Sequence, residues 1–232
     1  MTDLGSRGIG EMRHLNQRTW RGAASSLAVA AIVLGGLAAP AAAATSTDEQ
    51  LAQCQGDDTA LPERIDSCTH VIDDAERLPE LRAEAFLNRG IAYDLTGEPL
   101  KAIDDLTEGI KINPEYPALY LFRGIAYDNA EKTELAIADF TETLRLDPGQ
   151  SDALVYRGAA YSTLGAQDKA IADFNAALEN DPEDAAVLAA RGEAFEAKGE
   201  TAKAIADYRK ALELEGDNDE ASAGLQRLGG NG

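Results

Sequence analysis

Few residues in this 232-residue chain could carry covalent chemistry. It has two cysteines, Cys54 and Cys68, and two histidines, of which only His70 lies near them. In an oxidising compartment an even pair of thiols is joined, and a zinc site would need ligands beyond two thiols and His70. The expectation is a disulfide between Cys54 and Cys68, worth about 3 kcal/mol for a loop of this length in the chain-entropy model. Asp104 and Asp105 are adjacent carboxylates, but helix neighbours point about 100° apart and cannot share one proton or metal. Asp217-Asn218-Asp219-Glu220 lacks the spacing and the glycine of a calcium loop and reads as helix N-capping. His70 falls on the polar flank of its segment and reads as a surface residue. No G-x-S-x-G, H-E-x-x-H or phosphate-loop spacing occurs. No catalytic residue, metal site or cofactor is expected, and the chain does not read as an enzyme.

The remaining chemistry is ionic, and it is periodic. Arg89, Arg123, Arg157 and Arg191 lie 34 residues apart, and each is followed sixteen residues later by an aspartate: Asp105, Asp139, Asp173 and Asp207. A bridge of that kind needs two elements held side by side. The repeat around the arginines supplies them: RGIAY at Arg89, RGIAY at Arg123, RGAAY at Arg157 and RGEAF at Arg191, with KAIDDL, LAIADF, KAIADF and KAIADY following in step. A period of this length is one supersecondary unit, and stacked units form a solenoid.

Each unit holds two apolar patterns of helical period separated by a break. In the first, Gly97-Glu98-Pro99 divides them, with Pro99 suited to the first turn of the second helix, and Asn113-Pro114 ends it. Facing residues of an antiparallel hairpin have a constant sum of indices. Tyr93 with Ala102, Arg89 with Leu106 and Phe86 with Gly109 share one sum, so large residues meet small ones. Arg89 and Asp105 fall within one of that sum. A ladder of four partly buried Arg–Asp pairs follows, with the next unit's arginine as an alternative partner for each aspartate.

These spacings resemble the tetratricopeptide repeat family. The units span 83–116, 117–150, 151–184 and 185–218. Leucine or tyrosine stands where that family often has tryptophan, and Glu131 replaces the turn glycine found at Gly97, Gly165 and Gly199, which suggests a looser second turn. The resemblance implies an all-α fold: a right-handed α-solenoid of four hairpins, an N-terminal half-repeat within 45–82 and a capping helix in 219–232. Pro62 to Ala75 reads as the helix of the half-repeat, with Cys54 pinning the segment before it. Asp219 to Leu228 reads as the cap, with Ala221, Leu225 and Leu228 inward.

The resemblance also implies a binding module whose first helices line a groove for a peptide or a partner's helix. The groove-facing residues would be Leu87, Asn88, Ile91 and Asp94; Leu121, Phe122, Ile125 and Asp128; Val155, Tyr156, Ala159 and Ser162; and Ala189, Ala190, Glu193 and Glu196. The family's carboxylate clamp uses Lys, Arg and Asn, and only Asn88 matches. The surface expected instead is apolar at its centre, with Phe122 and Tyr156 as anchors, and acidic along one edge. The implied partner has apolar anchors and basic flanks.

Charge and the N-terminus narrow the setting. The formal net charge is −20, which disfavours nucleic acid and anionic membranes as partners. Met12 to Ala44 combines basic residues (Arg13, Arg18, Arg21), an alanine-rich apolar run and a Pro40 with small residues after it, the pattern of a secretory signal peptide cleaved after Ala44. Residues before Met12 add nothing to it, so Met12 is an alternative start. No Arg-Arg pair marks a twin-arginine leader, and Leu51-Ala52-Gln53-Cys54 lies too far beyond the apolar run to be a lipoprotein box. Removing the leader's four arginines and two acids leaves 17 basic and 39 acidic residues. The reading is a periplasmic or secreted protein-binding scaffold, the alternative being a small-ligand or cation binder that uses the acidic face.

Overall fold

The computed structural model describes residues 41–74 and 76–229. The expected leader lies outside them, apart from Ala41–Ala44, which open the first described helix. The described residues hold eleven helices and no strand: α1 (Ala41–Gln55), α2 (Leu61–Asp73), α3 (Pro79–Leu95), α4 (Pro99–Ile112), α5 (Pro117–Asn129), α6 (Thr133–Leu146), α7 (Ser151–Thr163), α8 (Gln167–Asn180), α9 (Ala185–Ala197), α10 (Thr201–Leu214) and α11 (Asp219–Arg227). They form an all-α solenoid of packed helix hairpins. Two compact units result, one ending at Ala130 and one beginning at Glu131. None of the described helices is long and apolar enough to cross a membrane.

Local chemistry sets the helix ends. Prolines occupy the first turn of α2, α3, α4 and α5, where the missing N–H is no loss. Asp184 and Asn218 cap α9 and α11 by accepting from the N–H groups of Val187 and Ala221 at 3.0 and 2.9 Å. Three hairpin turns close on glycines of positive φ, Gly97 (79°), Gly165 (73°) and Gly199 (76°). The residue after each donates back to the helix, Glu98 to the Tyr93 carbonyl, Ala166 to Tyr161 and Glu200 to Phe195, at 2.8–2.9 Å. Glu131 takes the same left-handed conformation, φ 59°. A glutamate therefore stands at φ 59° where the other three turns place a glycine.

Packing within a hairpin depends on large residues meeting small ones. A methyl group placed on Gly158 would stand 2.8 Å from the Phe174 ring, and one on Gly192 would stand 2.7 Å from the Tyr208 ring. Gly90 meets Leu106 in the same way, so Leu106 packs on Gly90, one residue beyond the Arg89 contact expected from the index sum. Leu106, Phe174 and Tyr208 are all but fully buried. In the N-terminal unit one core joins Leu87, Ile91, Leu106, Leu119 and Ala126, and a second gathers Cys54, Cys68, Val71, Ile72 and Phe86 under α1. In the C-terminal unit one core runs from Leu154 through Phe174, Leu188 and Tyr208 to Leu225 of α11.

Candidate functional site

The arginines of the repeat are partly buried. Arg89 donates through Nε and Nη2 to both oxygens of Asp105 at 2.7 Å. Arg157 does the same to Asp173, and Arg191 to Asp207, at 2.8 Å. The three aspartates are buried, and hydrogen bonding to them raises the Arg89 and Arg157 pKa values above the ordinary range. Arg123 belongs to the N-terminal unit and Asp139 to the C-terminal one. Asp139 is buried. For Asp105, Asp173 and Asp207 the partner is the arginine of their own hairpin rather than the next one. The Nη1 of each arginine reaches back to the helix before it: Arg89 to Thr69, Arg123 to Thr107, Arg157 to Thr141 and Arg191 to Asn175, at 2.7–3.2 Å. The guanidinium also lies within 6 Å of aromatic rings on its own helix, Phe86 and Tyr93 for Arg89, Tyr120 and Tyr127 for Arg123, and Phe195 for Arg191. Arg89, Arg157 and Arg191 thus each bond both helices of their hairpin and the helix preceding it.

Cys54 and Cys68 are bonded, and the bond joins α1 to α2. Polar contacts add to it: Ser67 donates to Gln53 at 2.9 Å, and Arg64 donates to the Gly56 carbonyl at the end of α1. Asp104 is exposed while Asp105 is buried, so the adjacent carboxylates face apart. His70 is exposed, and among the described residues no group of three or more His, Cys, Asp or Glu side chains could hold an ion.

The first-helix face differs from the sequence expectation at five positions. Leu87, Ile91, Leu121, Ala159 and Ala189 are 2–8% exposed and belong to the interior rather than to a groove lining. For Leu87 and Ile91 the reason is visible in the core they share with Leu119, Phe122 and Ala126: the next first helix covers them. A single hairpin leaves those positions open, and stacking closes them. Asn88, Asp94, Phe122, Ile125, Asp128, Val155, Tyr156, Ser162 and Ala190 remain partly exposed, and Glu193 is exposed. Tyr156 stacks on Phe140 with ring centres 5.6 Å apart, so its ring both wedges two helices and reaches the surface. Asp94 accepts from Asn129 through both oxygens, at 3.0 and 2.8 Å. Asp152 sits at the start of α7, where burial and then the nearby Asp184 push its carboxyl pKa up.

One cluster was missed in the sequence. Tyr208 is fully buried, its ring pressed between Gly192 and Gly224, and its hydroxyl donates to Glu196 at 2.7 Å. Arg227 of α11 donates to both oxygens of the same carboxylate at 2.9 Å. The Arg227 hydrogen bonds, more than that of Tyr208, hold the Glu196 pKa below its ordinary value, while burial and Glu196 drive the Tyr208 phenol well above its own. No repeat signal could have revealed it, because Gly224 and Arg227 lie outside the 34-residue pattern.

Stacked helix hairpins, internal arginine bridges and a partly exposed first-helix face define a helical-repeat protein built for protein contacts. Family models described as the tetratricopeptide repeat match residues 83–116, 123–185 and 168–223, together more than half of the chain. The chain belongs to the tetratricopeptide repeat family. It is similar to a crystal structure of MamA, with 25% identity over 73% of this chain and 94% of that one and a TM-score of 0.63. MamA from Desulfovibrio magneticus RS-1 is similar in fold, at 19% identity over 76% and 97% of the two chains with a TM-score of 0.66. The comparison with curated proteins returns no match. Tetratricopeptide repeat proteins bind protein partners and are generally non-enzymatic scaffolds, and the fold here supports a protein–protein interaction scaffold.

Proposed function

We propose that this chain is an exported, non-enzymatic scaffold of the cell envelope that binds a peptide or helix on the first-helix faces of its hairpins. The observation that carries this reading is the pairing of partly exposed apolar groups with carboxylates on those faces. In the N-terminal unit Phe122 and Ile125 stand with Asp94 and Asp128; in the C-terminal unit Val155, Tyr156 and Ala190 stand with Asp152 and Glu193. A partner with apolar anchors and basic flanks complements them, and the net charge of −20 would speed its approach at low salt. Export is supported by the leader pattern and by a disulfide that persists only where thiols are oxidised. The domain bounds proposed for function are the four repeats 83–116, 117–150, 151–184 and 185–218, flanked by the half-repeat and the cap.

The test is binding of a labelled amphipathic peptide with leucine anchors and lysine flanks. Saturable binding that weakens at least fivefold in Phe122→Ala or Tyr156→Ala, and that falls with salt, supports the reading. Binding unchanged in both variants overturns the placement of the site. Calorimetry with calcium separates the alternative: a saturable heat would favour a cation binder. Export has its own measurement, because Trp20 is the single tryptophan and lies in the leader. Exported protein should emit only tyrosine fluorescence, and indole emission from it would overturn cleavage.

A further inference from the structure

Arg227, on the last turn of α11, lies on two carboxylates of the first-helix face proposed above as the partner site. Its Nε and Nη2 each donate to Glu196 at 2.9 Å, and Nη2 stands 4.0 Å from Glu193. The side chain is still 41% exposed, and that of Glu193 is 45% exposed. This is the chemistry expected of a partner's basic flank, supplied from within the chain.

We infer that Arg227 is an internal occupant of the acidic site, an autoinhibitory contact that the basic side chain of a cationic peptide partner must displace. The inference rests on the first-helix face being the partner site. Two observations separate it from ordinary packing. The carboxylate of the penultimate residue of α3, Asp94, is held across to the next first helix by the neutral amide of Asn129. Asp94 and Glu196 occupy the same place in their repeats, three units apart, so bridging to the following helix there does not require a cation. Second, α11 has anchors of its own. Ala221, Gly224 and Leu225 are buried, Gly224 lies against the Tyr208 ring, and Asn218 caps the helix. A long, half-exposed arginine can therefore swing away while the helix stays docked.

Displacement has a simple consequence. While Arg227 sits on Glu196 the competent site is only fractionally populated, and the apparent affinity for a cationic ligand falls by that fraction. Removing the guanidinium should tighten binding by about threefold to tenfold, the range of a partly exposed bidentate pair.

The experiment uses the full chain and a fluorescein-labelled helical peptide with a leucine face flanked by arginines, read by anisotropy at low salt. Arg227→Gln should bind the peptide about threefold to tenfold more tightly than the wild type. Arg227→Lys, which keeps the charge, should stay near the wild type. Asn218→Ala loosens α11 with Arg227 in place and should also stay near the wild type. Equal tightening in Asn218→Ala would mean that cap release, not competition, opens the site, and would overturn the inference. So would a wild type that binds and loses affinity in Glu193→Gln while Arg227→Gln is unchanged; the site would then stand without the internal occupant. Binding by none of the proteins overturns the partner site and this contact together.

Discussion

The Arg157–Asp173 pair allows the role of the arginine ladder to be measured. Both hydrogen bonds are 2.8 Å, and the side chains are 19% and 9% exposed. Removing Arg157 alone strands a nearly buried carboxylate, a change that costs about 3–5 kcal/mol when burial is complete. The exposed fifth of the guanidinium admits water, so about 2–3 kcal/mol is the magnitude expected for Arg157→Met. Asp173→Leu strands the arginine, which is longer and reaches solvent more easily, and should cost about 1–2 kcal/mol. The double variant leaves neither charge unpaired and should cost no more than the larger single change, giving a coupling of about 1–2 kcal/mol. Urea unfolding followed by circular dichroism provides the four stabilities, with hydrogen exchange of α7 and α8 to locate the loss, since repeat arrays can open in parts. The coupling should survive high salt, because a buried pair is poorly screened. Additivity within about 0.5 kcal/mol, or a coupling that vanishes in salt, would refute the argument and leave an ordinary surface pair.

Other expectations follow from single contacts. Glu131→Gly relieves a left-handed residue costing about 1–2 kcal/mol and adds about 0.5–1 kcal/mol of chain entropy, so it should stabilise by about 0.5–1 kcal/mol in urea unfolding. Cys68→Ser should lose up to about 3 kcal/mol, with exchange increasing in α1 and α2 rather than in α7 to α11, and oxidised protein should titrate no free thiol. Gly224→Ala drives a methyl to 2.3 Å from the buried Tyr208 ring, and overpacking of about 1–3 kcal/mol should appear as faster tryptic cleavage at Arg227. The lowered Glu196 pKa makes the α11 anchor a stabilising contact above about pH 4.5 that is lost as pH falls through the lower folded value. Hydrogen exchange in α11 should rise below that pH, and Glu196→Gln should flatten the profile.

The fold was legible because one 34-residue pattern fixes two things at once, the break between helices and the face each helix turns inward. Arg89 and Asp105 could be set opposite each other by a sum of indices, since antiparallel helices tie register to numbering. The same arithmetic stops at the hairpin's edge. It says nothing of how one hairpin rotates onto the next, and so Leu87, Ile91, Leu121, Ala159 and Ala189 read as groove residues although they are buried. The left-handed φ of 59° at Glu131 was not legible for a different reason: glycine marks that conformation in a sequence and a glutamate does not.

The arginine ladder is not continued by α11, and the exchange of residues there is reciprocal. The Nη1 bonds of Arg123, Arg157 and Arg191 find their acceptors sixteen residues earlier, and Thr107, Thr141 and Asn175 provide them at 34-residue intervals. The next place in that series is Arg209, a donor, and it is exposed. The arginine that would have faced it falls at Leu225, which is buried in the core against α10. An arginine at position 225 beside Arg209 would bring two guanidinium groups together, where Arg123, Arg157 and Arg191 each meet an acceptor. The chain instead exchanges both partners together, leucine for arginine on the inner side and arginine for threonine on the outer. α11 can then seal Tyr208 with apolar contacts, and the final second helix turns a charged residue to water.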